Sequence, residues 1–545
     1  MPGRGVGFGA MPEDAAIERW FLRPQERGNP ATAIDRRRGE ALAWTTGNGV
    51  ELLVHGGPYF EALYRALCET RAGDLVSFLD WRGDPDERLV EDRTLADVLS
   101  ELAARRVQVR GLVWRSHPKL AGFHMEHHVE LARQVNEAGG EVVLDQRVRK
   151  AGSHHQKLVL IRHADDPSRD VAFMGGIDLC HGRRDDAEHR GDPQPEDLDD
   201  SYGERPPWHD IQVKVRGPVV GDLDHSFRER WNDPSPLEGH RGPLRAAVSR
   251  VADQPEHHDP MPETPPDPPP AGEIAVQVLR TYPSGPGYPF APHGERSIVR
   301  AYRKAFERAR SLIYVEDQYL WSSDVAALFA DAMERTPTLR LVVVVPRIPD
   351  RNGPVSGPPH RLAQLELVDR LDAFGRDRFA IFDLENEEGT PIYVHAKTVI
   401  VDDTWAAIGS DNLNRRSWTH DSELSCAILD ASRDDREPVD PAGLGDGARI
   451  FARELRLTLM REHLGVDDDA SLLDPDEAFD RVRRAADALD LWHAGGRSGP
   501  RPAGRLRNHR LPDVRWWERW WARPLYRTVV DPDGRPTEMR RRDAF

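Results

Sequence analysis

The chain has 545 residues, a formal net charge of −17 and 31% charged side chains. That length is sufficient for a large buried core arranged in two or more lobes. The acidic balance counts against nucleic acid as a partner, because proteins that bind it non-specifically carry a basic field. Cys68, Cys180 and Cys426 are odd in number and far apart, which predicts free thiols rather than disulfides or a metal site.

The start of the chain predicts neither a secretory signal nor a membrane anchor. Residues 1–40 are irregular and charged, which is typical of a flexible lead-in. Residues 1–14 are rich in glycine and lack the apolar core of a signal peptide. No apolar run approaches the length needed to cross a bilayer. We therefore expect a cytoplasmic protein whose contact with a membrane is at most peripheral.

Hydrophobic periodicity predicts the same order of helices and strands in residues 41–245 and again in residues 274–465. Between these halves, the proline-rich stretch 246–273 cannot form helix or sheet and is predicted to be a solvated linker. The predicted helices are 59–68, 95–105 and 124–138 in the first half and 297–310, 325–335 and 361–374 in the second. The predicted strands are 74–81, 107–114 and 141–144, and then 312–321, 339–346 and 379–384.

Each half continues into a His-x-Lys motif at the start of an apolar, β-branched run. The first motif is His155-Gln-Lys157 and the second is His395-Ala-Lys397, and each leads to a glycine-containing turn. A histidine and a lysine two residues apart on a strand project from one face, which places an imidazole beside a positive charge. The repeat predicts an α/β fold of two lobes, each with its sheet covered by helices, and one active site assembled from both.

These residue types suit the cleavage of a phosphodiester. Lys157 and Lys397 can hold the non-bridging oxygens, while one neutral histidine attacks phosphorus to give a phosphohistidine. The other histidine, protonated, can donate to the leaving alcohol and then activate water or another alcohol. Because the ordinary histidine pKa is about 6.5, opposite protonation states are accessible near neutral pH. This chemistry requires no metal and no cofactor.

Polar residues after the second motif complete the candidate site. Ser410 and Asn412 lie in the glycine turn, where we predict that they bind substrate, Asn412 through its amide. Asp178 takes the place of Asn412 in the first half and is assigned to substrate binding as well. An ionised carboxylate cannot donate to a phosphate, so the two halves are not expected to be equivalent.

Two carboxylates of the second half are included in the candidate catalytic set. Glu423 can accept a hydrogen bond from an imidazole Nδ1–H and fix its tautomer, the alternative being a surface carboxylate. Asp402 lies an odd number of residues after His395 and therefore points to the opposite face of an unbroken strand. We expect Asp402 to brace the structure rather than to act in the chemistry.

At these motifs the sequence resembles the phospholipase D superfamily, which carries two His-x-Lys-x4-Asp motifs on a pseudo-twofold pair of α/β lobes. The resemblance covers residues from about 40 to 465 and extends to segments typical of the eukaryotic-type branch: 175–180, 182–186, 208–210, 227–232 and 314–319. It implies that His155 is the nucleophile and His395 the acid/base. It also implies that Lys157, Lys397 and Asn412 bind phosphate and that Glu423 orients a histidine.

The first motif departs from the family at its last position. Arg162 stands where the family has aspartate, and an insertion, 162–169, follows. Asp165, Asp166 and Asp170 are the candidates to replace the missing carboxylate, and the sequence does not choose among them.

The resemblance implies hydrolysis of a glycerophospholipid, by default phosphatidylcholine, to phosphatidic acid and a free alcohol, with transfer to other alcohols as a variant. The expected partner is a phospholipid at a membrane surface, with no nucleic acid and no obligate protein. The alternatives are a cardiolipin-synthase-like phosphatidyltransferase, a nucleic-acid phosphodiesterase and a non-catalytic lipid-binding protein.

Two further segments have a pronounced composition. The acidic stretch 185–200 predicts an exposed loop able to overhang the site. The C-terminal extension, 466–545, contains Trp516, Trp517, Trp520 and Trp521, whose spacing by four residues gives a helix an aromatic face. That face either packs onto the body of the protein or rests on lipid head groups, a boundary that tryptophan prefers.

Overall fold

The structure is a computed structural model that describes residues 13–37, 42–116, 124–237, 258–349, 357–511 and 513–545. Its first elements are the helices α1 (Glu13–Trp20) and α2 (Pro24–Arg27). Trp20 and Phe21 are buried in an apolar cluster with residues of the second half. The prediction of a flexible lead-in is therefore wrong for residues 13–37, because this segment has apolar side chains to bury.

The first half of the chain forms a sheet with helices packed on it. Its order is β1-β10-β8-β7-β2-β5-β6, with parallel pairing at β2–β5 and β5–β6 and antiparallel pairing elsewhere. The elements run as follows: β1 (Thr45–Val54), α3 (Gly56–Cys68), β2 (Leu75–Asp80), β3 (Arg88–Val90), β4 (Arg93–Thr94), α4 (Leu95–Ala104), β5 (Gln108–Trp114), α5 (Met125–Glu137), β6 (Glu141–Asp145), β7 (Leu158–Arg162), β8 (Val171–Gly175), β9 (Trp208–His209), β10 (Ile211–Arg216) and α6 (Val219–Trp231).

The second half repeats this strand order. Its sheet runs β11-β19-β18-β17-β13-β14-β15 and is parallel at β13–β14 and β14–β15. The elements are β11 (Ile274–Tyr282), β12 (Glu295–Arg296), α7 (Ser297–Arg308), β13 (Leu312–Asp317), α8 (Ser323–Arg335), β14 (Arg340–Val344), α9 (Gly357–Asp372), β15 (Phe379–Glu385), β16 (Pro391–Val394), β17 (Lys397–Val401), β18 (Trp405–Gly409), α10 (Arg415–Thr419), β19 (Glu423–Asp430) and α11 (Ile450–Leu464).

A C-terminal extension packs against the second half. Strand β20 adds to the edge of the sheet by pairing with β15. The elements are α12 (Pro475–Ala494), β20 (Leu506–Asn508), α13 (Trp516–Leu525), a π-helical turn (Tyr526–Val530) and α14 (Thr537–Arg541).

The two sheets join through the antiparallel pair β1–β11. One apolar cluster contains side chains of both sheets, among them Leu160 and Val213 from the first and Ile400 and Ile428 from the second. Burial of each such side chain contributes about 1.5–3 kcal/mol to folding, so this shared core fixes the halves relative to each other. The α/β architecture predicted from the repeat is confirmed.

The proline-rich stretch is more fixed than its composition indicates. Residues 246–257 lie outside the described part of the chain, and residues 258–271 form no helix or strand. The indole of Trp231 donates to Asp259 O (2.8 Å), and Arg162 Nη2 donates to Pro266 O (2.6 Å). Nε2 of His258 lies 2.6 Å from Trp231 O. Most of the described residues are exposed, as predicted for a solvated linker, and the carbonyls of Asp259 and Pro266 fix the segment against the first lobe.

Candidate active site

The two His-x-Lys motifs lie at equivalent places, immediately before β7 and at the start of β17. The sequence places both motifs on strands, but the observed strands begin later. His155 and Lys157 precede β7, and His395 lies between β16 and β17. Each lysine nevertheless lies beside its histidine. Lys157 Nζ donates to the carbonyl of His155 (3.0 Å), and Lys397 Nζ donates to that of His395.

A carboxylate from the second half holds the histidine of the first. Nδ1 of His155 lies 2.9 Å from Oε2 of Glu423, the first residue of β19. The backbone N–H of His155 donates to Ser422 O at 2.9 Å. The hydroxyl of Ser410 donates to the same Glu423 oxygen at 2.6 Å. This geometry fixes the ring and supports the orienting role predicted for Glu423.

A carboxylate from the first half holds the histidine of the second. Nδ1 of His395 lies 2.7 Å from Oδ2 of Asp210, which directly precedes β10. The backbone N–H of His395 donates to His209 O at 2.8 Å. Asp210 and Glu423 occupy matching register positions, because β10 pairs with β8 as β19 pairs with β18. Each half therefore orients the histidine of the other.

Gly176 gives the Asp210 carboxylate its space. A Cβ added at Gly176 would lie 2.1 Å from Asp210 Oδ1, far inside van der Waals contact. The glycine that follows β8 is thus required by the close approach of the group that holds His395.

The two lysines have different neighbours. Lys157 Nζ lies 3.2 Å from Asp178 Oδ1 and 5.9 Å from the ring centre of Trp81. Lys397 Nζ donates to Gln318 Oε1 at 3.3 Å. Burial, reinforced by the charge of Lys157, lowers the pKa of Lys397 to about 8, against the opposing effect of Asp210. The charge of Lys397 is therefore titratable in a range that an enzyme encounters.

Electrostatics also distinguish His395. Burial, followed by the charges of Lys397 and Arg183, holds its pKa well below the ordinary range. The ring is neutral at pH 7, and with Nδ1–H donating to Asp210 its Nε2 carries a lone pair. Burial would raise the pKa of Asp178, but Lys157 and Arg183 hold it below its usual value. Asp178 is therefore an anion beside Lys157.

A cavity of about 320 Å³ opens at His155. His155, Asn412 and Glu423 contribute to its polar lining. Its aromatic and apolar walls come from both halves and from the C-terminal extension, namely Trp81, Trp114, Tyr319, Trp321, Val529 and Val530. Another cavity, of about 630 Å³ and between α9, β15 and α12, contains none of the motif residues. Of these two cavities, the smaller one is lined by His155.

Asp402 braces the structure, as expected, although it directly follows β17 and does not lie on an unbroken strand with His395. It lies at the end of β17 remote from Lys397, and its carboxylate accepts the backbone N–H groups of Arg310, Ser311 and Leu312 at 2.8–2.9 Å. Burial raises its pKa to about 6. The prediction that Asp402 belongs to the catalytic set is wrong, because its oxygens accept hydrogen bonds from the loop before β13.

In the first half, the end of the equivalent strand, β7, is held by ion pairs. Arg162 is buried at the end of β7, and its guanidinium contacts Asp170 Oδ2 (2.6 Å) and Asp224 Oδ2 (2.9 Å). Of the three aspartates that the sequence left open, Asp170 is the one that pairs with Arg162. Ion pairs therefore brace the end of β7, whereas hydrogen bonds from backbone N–H groups to the Asp402 carboxylate brace the end of β17.

Two predicted substrate ligands have other partners. Ser410 is fully buried behind Glu423 and donates to it, so it supports the orienting carboxylate instead of reaching substrate. Asp178 is paired with Lys157 and cannot donate to a phosphate. Asn412 does line the cavity, and its buried Oδ1 has no hydrogen-bond partner among the residues that the structure describes. It remains the predicted phosphate ligand of this group.

The acidic stretch 185–200 is irregular but not exposed throughout. Asp185, His189 and Asp192 are buried, and Asp185 Oδ2 accepts the N–H of Trp208 at 2.8 Å. Glu196 holds Arg183, whose guanidinium carbon lies 4.0 Å from the ring centre of Trp208. The prediction of an exposed loop is wrong for these residues because their charges are paired inside the protein.

A buried imidazole–carboxylate cluster that the sequence did not predict lies behind His395. His209 Nε2 and His463 Nε2 contact the two oxygens of Glu316 at 2.6 and 2.7 Å. Glu462 contacts His55 at 2.9 Å and His189 at 3.0 Å. These side chains have the spacing and chemistry of metal ligands. In the structure these imidazoles contact the two carboxylates directly, and the hydroxyl of Tyr314 also donates to Glu316 Oε1 at 2.6 Å.

Repeat symmetry is the signal that could have identified Asp210. Asp210 directly precedes β10, and Glu423 is the first residue of β19, so the two carboxylates lie at equivalent places in the repeat. The cluster around Glu316 has no such signal, because its members are scattered along the chain.

A membrane span is not found among the described residues, since none of their helices combines the length and the apolar character that crossing requires.

Comparisons with known proteins show the family of this chain. The family model described as Phospholipase D matches residues 82–283 and 382–493, more than half of the chain. The model described as Cardiolipin synthase, PLD-like domain, matches residues 302–435. A crystal structure of phosphatidylserine synthase from Haemophilus influenzae Rd KW20 shares the fold, with a TM-score of 0.51 at 13% identity over 82% of this chain and 93% of that one.

Curated plant proteins match over most of the chain. Phospholipase D alpha 2 of Oryza sativa subsp. japonica is 27% identical over 74% of this chain. Phospholipase D alpha 3 of Arabidopsis thaliana is 28% identical over 89% of it. The matched regions span 62% of the rice protein and 74% of the Arabidopsis protein.

Proposed function

We propose that this chain, which belongs to the phospholipase D family, cleaves the head-group phosphodiester of a glycerophospholipid to give phosphatidic acid and a free alcohol. The reciprocal pairing of His155 with Glu423 and of His395 with Asp210 carries the proposal. It gives two oriented imidazoles, each beside its own lysine, which is what phosphoryl transfer through a covalent histidine needs.

In the first step, Nε2 of His155 attacks phosphorus. His155 lines the cavity, and its Nδ1 is held by Glu423, so the opposite ring nitrogen is available. A P–N bond forms and the P–O bond to the head group breaks. Lys157, Lys397 and the amide of Asn412 stabilise the charge on the phosphoryl oxygens. Phosphatidyl-His155 and a head-group alcohol result.

His395 supplies the proton that the leaving oxygen takes. In the empty site its ring is neutral, and the negative charge of a bound phosphodiester favours its protonation. After the alcohol leaves, neutral His395 takes a proton from water, and the resulting hydroxide oxygen displaces His155 from phosphorus. A primary alcohol in place of water gives a transferred phosphatidyl ester by the same step.

Incubation with phosphatidylcholine and ethanol tests this function. We expect phosphatidic acid and phosphatidylethanol, and we expect neither from His155→Asn. His225→Asn, a change in a half-buried histidine of α6 that pairs with Glu229, is the matched control and should retain activity. The lipase proposal fails if the wild type leaves phosphatidylcholine and a panel of other phospholipids untouched.

A phosphatidyltransferase is the second candidate, favoured by the match of residues 302–435 to the cardiolipin synthase model. The same covalent intermediate would then be intercepted by the glycerol hydroxyl of a second lipid. Incubation with phosphatidylglycerol distinguishes the two: cardiolipin and glycerol as main products indicate the transferase, whereas phosphatidic acid indicates the hydrolase.

A further inference from the structure

Helix α13 divides its tryptophans between two faces. Trp521 is partly buried and packs with Ala522 against Leu362 of α9. Trp516 and Trp520, one turn apart, are each 83% exposed. The two interpretations of this segment therefore apply to opposite faces of one helix. One face fixes it to the protein, and the other presents large aromatic side chains to solvent.

The exposed side of α13 is also basic. Arg515, Arg519, Arg523 and Arg527 recur at every fourth position and are all exposed, while Glu518 is the acidic residue among positions 515–527. Arg523 pairs with Glu366 of α9. The other three arginines still concentrate positive charge in a chain whose net charge is −17. We use the term Trp–Arg face for Trp516, Trp517, Trp520, Arg519, Arg523 and Arg527.

The Trp–Arg face leads directly to the cavity. The π-helical turn that follows α13 ends at Val530, and Val529 and Val530 line the cavity together with His155. From Trp520 to Val529 the helix rises about 13 Å. The turn is fixed there, because Arg416 Nη1 donates to Val529 O at 3.1 Å and Tyr526 is buried with Trp321.

We propose that the Trp–Arg face docks onto the head-group layer of an anionic phospholipid bilayer and holds the cavity at the bilayer surface. Indole rings are favoured at the boundary between head groups and acyl chains, and arginines gain from anionic lipids. An amphipathic helix of this composition lies in the plane of that boundary. Val529 and Val530 follow this helix and line the cavity that contains His155. A bilayer bound by the Trp–Arg face would therefore lie at the opening of that cavity.

This inference deepens the proposed function. It rests on that function for the reason why the protein docks, namely delivery of a phospholipid to His155. The binding itself requires no turnover. It is therefore measured separately, by co-sedimentation of the full chain with vesicles of phosphatidylcholine alone or mixed with phosphatidylglycerol.

We expect the wild type to bind the mixed vesicles, to bind the neutral ones more weakly and to lose binding as salt rises. Trp516→Ala with Trp520→Ala should weaken binding to mixed vesicles about tenfold or more, since each indole removes a large apolar area from water. Both residues are exposed, and thermal unfolding of the double variant should match the wild type. Leu491→Ala, which truncates a residue of α12 that is 72% exposed, is the matched control and should bind as the wild type does.

Equal binding by the wild type and the double tryptophan variant would overturn the proposal, as would the absence of vesicle binding by the wild type. Equal affinity for neutral and mixed vesicles would overturn the choice of an anionic bilayer. A wild type that binds vesicles yet cleaves no phospholipid would leave docking intact and defeat the proposed function. Cleavage of a short-chain, monomeric phospholipid without vesicle binding would do the reverse.

Discussion

The two histidines of the site lie in different surroundings, although each is held by one carboxylate. His155 borders the cavity, whereas His395 is buried beside Lys397 and within the field of Arg183. The first position suits a nucleophile that must reach phosphorus. The second suits a group that becomes protonated only when substrate brings negative charge, which couples acid catalysis to binding.

Lys397 gives a pH prediction. Its pKa is lowered to about 8, so the ammonium form is present below that pH and is lost as pH rises through it. Since a phosphate needs the charged form, kcat/KM should fall above about pH 8. Lys397→Arg keeps its charge there, because a guanidinium does not deprotonate, and its lower activity should show no such fall. An unchanged alkaline limb in the arginine variant would remove Lys397 as its cause.

Asp210 gives a second prediction at this scale. Asp210→Asn keeps the shape of the side chain but loses the charge that holds Nδ1–H of His395. We expect kcat to fall by about 100-fold or more while KM changes little, because the acid/base histidine loses its tautomer and orientation. Asp165→Asn, on the exposed loop after β7, is the control. Wild-type kcat in Asp210→Asn would refute the positioning role.

The ends of β7 and β17 show how equivalent elements are stabilised by different residues. Asp402 ties β17 to the loop before β13 through backbone N–H groups. In the first half, Asp74 Oδ1 instead accepts the N–H of Ala164 at 2.9 Å, and Arg162 pairs with Asp170. In the second half the joining carboxylate, Asp402, follows β17. In the first half it is Asp74, which precedes β2 and accepts from the segment after β7. The loss of aspartate at position 162 therefore leaves the strand braced.

Arg162→Ala tests this brace. It would leave Asp170 buried without its guanidinium partner, while Asp224 keeps its pair with Arg228 at 2.9 Å, and we expect a loss of about 3 kcal/mol in the free energy of unfolding. Arg65→Ala removes an exposed pair with Glu61 and should cost less than about 0.5 kcal/mol. Chemical denaturation of both variants measures the difference. Equal midpoints for Arg162→Ala and the wild type would show that the ion pair does not brace β7.

Much of this element structure could be predicted, because apolar runs of fixed period such as 339–346 become buried strands. The starts of β7 and β17 could not be predicted from periodicity. His155 and His395 bond through their backbone to Ser422 and His209 of the opposite half instead of continuing a strand of their own. The conformation of residues 258–271 was equally hidden, since it depends on donors such as Trp231 and Arg162.

At the scale of the molecule, the repeat is what creates the site. The strand orders of the two halves match, and the shared core fixes one sheet against the other. The sequence predicted both histidines, both lysines and Glu423 as site residues, and the structure brings each histidine beside its lysine and Glu423 beside His155. The sequence assigned no role to Asp210, since that contact exists only once the halves are assembled, although the register of β10 and β19 contains the same symmetry.

The most direct test of a single site built from both halves compares the variants His155→Asn, His395→Asn and the double variant in phosphatidylcholine hydrolysis. Because the two imidazoles act on one phosphorus, each single change should lower the rate to the same floor, and the double change should lower it no further. Substantial hydrolysis by either single variant, or a double variant whose loss is the product of the two single losses, would contradict the shared site.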